Sequence, residues 1–212
     1  MRIIYRIILF SFLLLLSVIL IIRIPGVQTY IAGKITSYVN QKTGFKSEIT
    51  YLNINWFDEI IVEGLEIRDE QDSLMASIRR LDADLDFKAL INDKSIELNQ
   101  LVIENGLVHL IKHPNTPDIN LALFLRSLGS SGANQQTKGN SGIKIGEIIL
   151  ADIGLYYDNF DKPYRDLTID PSHVKLHKIV GNLSEIAGFK DTISANINSL
   201  SCGFSTNLIR LN

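Results

Sequence analysis

From Ile3 to Ile24 the chain is almost unbroken hydrocarbon, and Ile7 to Ile22 carries no charge. As a helix this stretch would run roughly 33 Å at ~1.5 Å per residue, enough to cross a hydrocarbon core of ~30 Å. Arg2 and Arg6 flank one end and Arg23 the other, and their long side chains reach an interface from inside a span. Ile7, Leu13, Leu16, Ile19 and Ile22 would then face lipid. A cleaved secretory signal has a shorter apolar core and a small-residue cleavage site, and Ile21-Ile22-Arg23-Ile24-Pro25 offers none. A buried core helix is the weakest reading, because no polar stripe marks a solvent face. Residues 1–24 therefore read as an uncleaved, single-pass signal anchor. The α-amine, Arg2 and Arg6 outweigh Arg23 and Lys34, so the N-terminus reads as inside and the rest outside.

The 212 residues leave about 188 beyond this segment, enough for one domain or the start of a longer array. A net charge of -2 argues against a general nucleic-acid or anionic-surface binder. The single cysteine, Cys202, excludes an intrachain disulfide and any multi-cysteine metal site.

Pro25-Gly26 closes the first helix. Val27, Ile31, Ile35 and Val39 then recur every four residues, which predicts an amphipathic helix over 25–44 stopped by Gly44. It would lie on one end of a sheet, or also in the membrane interface. From Phe45 the apolar period falls to two. Ser47 to Trp56, Ile60 to Ile67, Leu74 to Ile78, Leu81 to Phe87, Ile96 to Asn99 and Leu101 to Ile111 read as strands, with a turn or bulge at Asn105-Gly106. Lys88 to Lys94 reads as a short helical turn into a loop, and Leu121 to Leu128 as a short helix capped by Asn120. Residues 129–142, rich in Gly, Ser, Asn and Gln, read as a flexible linker between a first sheet segment, 45–128, and a second, 143–212. A weak echo at about forty residues relates Ile60 to Leu65, Leu101 to Leu107 and Ile148 to Leu155.

The strands are apolar on one face and polar on the other, and such a face must be covered. Few helical segments are available after Gly44. The sheet either folds on itself as a closed β-sandwich or barrel, or curls into a trough whose apolar face meets something other than protein. Beside a membrane anchor that would be lipid acyl chain.

The opening resembles the N-terminus of the TamB/AsmA-like proteins of Gram-negative bacteria. The likeness lies in the anchor, the Pro25 break and the amphipathic helix ending in Lys42-Thr43-Gly44-Phe45. It continues in Ile61 to Asp69, in Leu81 to Asn92, in Ser95 to Gly106 and in Asp118-Ile119-Asn120-Leu121. The resemblance implies an open, curled, antiparallel-rich β-sheet groove, mainly β with the two N-terminal helices. It implies a single-pass protein of the bacterial inner membrane with its bulk in the periplasm. The implied function is phospholipid transport between inner and outer membrane and outer-membrane protein assembly, with phospholipid acyl chains and an Omp85-type, TamA-like barrel as partners of a full-length form. Such proteins are far longer, so the chain reads as an N-terminal portion. Leu81, Ala83, Leu85, Phe87, Ile96, Leu98, Leu101 and Ile103 would face the lipid lane.

Other signals stay below this level. Asp82, Asp84 and Asp86 read as a solvated strand face without the loop of a calcium motif. His173 and His177 alternate with Val174 and Leu176, so they read as polar-face residues, and His109 and His113 gain no support as metal ligands. No phosphate loop, nucleophile elbow or metalloprotease helix is present in the sequence. The expectation is a protein that is not an enzyme and uses no cofactor; the alternative is a membrane-tethered interaction module.

Overall fold

The computed structural model describes residues 2–55, 58–86, 89, 97–129, 144–165, 170–189 and 192–204. Phe87, Ile96, most of the expected turn at Lys88 to Lys94 and nearly all of the expected linker lie outside the described residues.

Helix α1 spans Arg2–Ile22. Its Ile3–Ile22 portion has a mean hydropathy of 2.6, and none of that window is buried against the rest of the chain. The helix is thus long and apolar enough to cross a membrane. Helix α2, Pro25–Thr43, follows after two residues. Pro25 opens it where a missing N–H leaves no intrahelical bond unmade. Gly44, at φ +77°, closes it, and its N–H donates to the Asn40 carbonyl.

Seven strands follow: β1 Lys46–Asn55, β2 Glu59–Arg68, β3 Leu74–Leu85, β4 Glu97–Lys112, β5 Lys144–Asn159, β6 His173–Phe189 and β7 Thr192–Phe204. They form one open sheet in sequence order. A closed sandwich needs a second sheet, and the described residues form a single sheet. Neighbours pair antiparallel except β4 and β5, which are parallel. A parallel pair needs a long crossover, and this one carries helix α3, Asn120–Gly129.

Helix α2 runs back along β1 and covers the first sheet edge. Asn40 Oδ1 accepts hydrogen bonds from both the N–H and the hydroxyl of Ser47 at 2.6 Å, and Gln28 Nε2 donates to Asn53 Oδ1 at 3.3 Å. A strand edge without such partners invites pairing with other chains. The packed side of α2 overlaps the expected stripe only in part: Val27, Ile31 and Val39 are half-buried. Gln28, Ala32 and Thr43 are buried, whereas Ile35 is 44% exposed. Polar groups are needed on this side because it meets strand backbone and not an apolar face.

At the far end of α2 a small core gathers Phe45, Met75 and Phe124, with Val39, Ile67, Leu121, Leu123 and Leu128 packed around it. The Phe45 and Phe124 rings meet edge-on with centroids 5.2 Å apart. Asn120 begins α3, and its Oδ1 accepts the Leu121 N–H at 2.8 Å, but the same side chain also serves β4. Its Oδ1 accepts from the Ile111 N–H and its Nδ2 donates to the His109 carbonyl. β3 pairs with β4 only as far as Val108, so this amide stands where a neighbouring strand is missing.

Candidate functional site

The register brings the expected lane residues together. Leu81 faces Ile103, Ala83 faces Leu101 and Leu85 faces Leu98, so six of the eight form three cross-strand pairs. Directly paired residues share a face. The rows continue on both sides. One passes through Leu52, Val62, Leu81, Ile103 and Leu150 to Gly181 and Leu200. The other passes through Ile54, Ile60, Ala83, Leu101, Ile148, Leu183 and Ile197. Each crosses all seven strands, about 29 Å at ~4.8 Å per strand. On the opposite face a fully polar row runs from Asn55 and Glu59 through Asp84, Gln100, Glu147 and Ser184 to Asn196. That face is not polar throughout, since Ile61, Val102 and Ile149 also lie on it in register with Asp82 and Asn182.

In β2, β4, β5 and β6 a strict two-residue alternation would carry the apolar set to the wrong face partway along the strand. Left-handed residues prevent this: Gly64 at φ +64°, Asn105 at +50°, Asp152 at +58° and Lys178 at +52°. The result is visible on β3, where Arg79 and Arg80, adjacent in sequence, line one shallow depression with Glu63, Gly64, Glu104 and Asn105. Ile78 and Leu81 therefore both turn the other way. Arg80 is the hub of that polar side, 3.2 Å from Glu63, 3.0 Å from Asp82 and 3.9 Å from Glu104. The faint sequence echo falls on this feature: Glu63-Gly64, Glu104-Asn105 and Ala151-Asp152 are the same step in β2, β4 and β5. The expected turn at Asn105-Gly106 is this step, and β4 runs through it unbroken.

Beyond the step the apolar set resumes with Leu65, Ile78, Ile153 and Ile179. Gly106 leaves a notch there: an added Cβ would meet Ile153 Cδ1 at 3.2 Å and Ile78 Cγ1 at 3.4 Å. Ile153 and Ile179 are only 6% and 7% exposed.

All four histidines lie at one end of the sheet, and their partners were not legible in the sequence. Asp158, buried, has His109 Nε2 at 2.7 Å, His173 Nδ1 at 2.9 Å and the Tyr164 hydroxyl at 2.9 Å. Burial pushes its carboxyl up, but the hydrogen bonds from His173, His109 and Tyr164 outweigh that and hold it below the usual carboxylate range. His173 Nε2 also faces the Lys162 carbonyl at 3.1 Å, and the ring stacks on Tyr164 with centroids 3.6 Å apart. His113 Nε2 lies 2.6 Å from Asp69 Oδ2, while Asp69 Oδ1 accepts the Gln71 and Ser73 N–H groups of the β2–β3 turn. His177 Nδ1 lies 3.2 Å from the Tyr156 hydroxyl. Among the described residues no group of three or more His, Cys, Asp or Glu could hold a metal ion. Asp158 offers its oxygens to three partners at once, so this cluster fastens the ends of β4, β5 and β6 together.

The five expected anchor residues all lie on α1; Ile7, Leu13 and Leu16 are exposed, and Ile19 and Ile22 half-buried. The junction of α1 and α2 meets the sheet at one corner, where Arg23 Nη2 donates to Asn55 Oδ1 at 2.8 Å and Asn55 Nδ2 donates to Glu59 Oε2 at 2.9 Å. Fold and site thus define a class: a one-sheet β protein carrying a long apolar N-terminal helix and one face of continuous apolar rows. No family model matches the sequence, and no curated protein matches it.

Proposed function

We propose that this chain is a membrane-anchored lipid-conducting groove. It stands at a bacterial inner membrane with its sheet in the periplasm and moves phospholipid acyl chains along its apolar face toward the outer membrane. The observation that carries the reading is the pair of apolar rows running across every strand of a single open sheet. A concave, taco-like face is supported by Ile153 and Ile179. They are nearly inaccessible although α2 and α3 pack on β1 and β4, which is what inward curvature of the sheet would produce. Burying hydrocarbon is favourable by about 0.8 kcal/mol per CH₂, so an acyl chain on such rows avoids the water it would otherwise cross. The head group stays in solvent, and no residue need form a bond. The resemblance to TamB/AsmA-like proteins extends the proposal to assembly of outer-membrane proteins with an Omp85-type barrel, in a longer form of the chain.

Photo-crosslinking amino acids at Leu85 and Ile103 test this, with Asp84 and Glu104 as opposite-face controls. Mass spectrometry of the membrane-extracted protein should show phospholipid adducts at the first pair and none at the second. Leu85→Asp and Ile103→Asp should abolish the adducts without preventing membrane insertion. Adducts confined to α1 would leave a tethered interaction module as the better reading.

A further inference from the structure

The direction in which the rows leave the membrane is set by the outward side of α2. Its sheet-facing side is Gln28, Ala32 and Thr43. At 100° per residue, Tyr30 and Lys34 point roughly the opposite way, and Tyr38 lies on the flank, about 110° round from the sheet-facing side. Tyr30 and Tyr38 are 65% and 59% exposed. Lys34 Nζ lies 5.3 Å from the centre of the Tyr30 ring, which holds the stripe together. Gly26, Gly33 and Ser37 flank this stripe on one side; a Cβ added at either glycine would meet nothing within 4 Å. Small residues flanking tyrosines form a low surface that a flat neighbour can approach.

Charge identifies that neighbour. The first acidic residue of the chain is Glu48; Lys46 pairs with Asp72, Lys42 donates to the Leu128 carbonyl and Arg23 to Asn55, so Lys34 is the cation that stands with Tyr30 on this side. Tyrosine favours the head-group layer, and lysine near an anionic leaflet gains about 1 kcal/mol per side chain. Two residues, Arg23 and Ile24, separate α2 from the segment that enters the bilayer. We infer that the Tyr30–Lys34–Tyr38 side of α2 lies on the anionic surface of the same bilayer that α1 enters, so that β1 is the strand nearest the membrane and the apolar rows lead away from it toward β7. The inference rests on α1 being an anchor.

The test uses the full-length chain in vesicles of phosphatidylcholine and phosphatidylglycerol. A Cys202→Ser background carries single bimane-labelled cysteines at Tyr30, Tyr38, Leu13 or Ser199. Nitroxide lipids labelled at the head group or mid-chain act as quenchers. Positions 30 and 38 should be quenched several-fold more strongly by the head-group nitroxide than position 199, and position 13 by the mid-chain nitroxide. Lys34→Glu should weaken quenching at 30 and 38, while Lys34→Arg should preserve it. Mid-chain quenching at 13 with positions 30 and 38 no different from 199 would overturn the inference and leave the anchor standing. No quenching at 13 would remove the anchor and the inference with it.

Discussion

Thr50 fills the space that a side chain on Gly64 would need. A Cβ built on Gly64 would overlap the Thr50 hydroxyl and come within 2.8 Å of its Cβ. Gly64 also sits at φ +64°, where an L side chain is strained. Gly64→Ala should therefore destabilise the protein by about 1–2 kcal/mol from backbone strain alone, with the clash adding to it. Thr50→Gly in that background should recover the clash and leave the strain. Denaturant unfolding of the detergent-solubilised chain separates the two parts. Equal stability of the single and double variants would mean that the side chains do not meet.

Asn120 gives a second separable contribution. It is 1% exposed and holds one backbone donor and one backbone acceptor of β4. Asn120→Ala leaves both unpaired in a buried place, which should cost about 1–3 kcal/mol per group. Asn120→Asp keeps the acceptor for the Ile111 N–H and loses the donor to His109, so it should fall between wild type and Ala. Hydrogen exchange at Ile111 should accelerate in the Ala variant and stay closer to native in the Asp variant.

These examples mark where sequence reading succeeds and stops. The strands and the shared face of Leu81, Ala83, Leu101 and Ile103 were legible because a two-residue period is a local property. The step at Asn105 was legible as a turn or bulge at Asn105-Gly106, but that at Gly64 showed only as a faint echo, since a left-handed residue leaves no fixed letter; glycine, asparagine, aspartate and lysine all fill the role here. The packed side of α2 was legible at Val39 and in part at Val27 and Ile31, but not at Gln28 and Asn40, which meet a strand edge and serve there better than Ile35. The histidine clusters were hidden because their partners lie far off along the chain, as His109 from Asp158 and His113 from Asp69 do.

The plug formed by α3 should behave as true core. Phe124 is 8% exposed against Phe45 and Met75, whereas Leu125, its neighbour in sequence, is 52% exposed. Phe124→Ala should destabilise by about 3–5 kcal/mol, and Leu125→Ala by no more than about 0.5 kcal/mol. Thermal unfolding monitored by circular dichroism checks the contrast. Similar midpoints for the two variants would show that α3 does not seal that end of the sheet.

Asp158 makes stability depend on pH with a defined sign. Its carboxyl is depressed in the folded protein, so it contributes stability that is fully present above its unfolded value and is lost as pH falls through the folded one. The groups facing it are His109 from β4, His173 from β6 and Tyr164 from the β5–β6 connection. Asp170 adds a nearby charge that acts on Tyr164 and is itself acted on by His173. Asp158→Asn keeps the size but removes the charge and one acceptor, and should cost about 1–3 kcal/mol at neutral pH. The gap between wild type and variant should narrow as pH drops from the ordinary carboxylate range toward strong acid, because the wild-type carboxyl becomes neutral too. Urea titrations across that window provide the measurement. A gap that stays constant down to strong acid would mean that Asp158 acts through shape alone, and that its charge does not hold the two histidines.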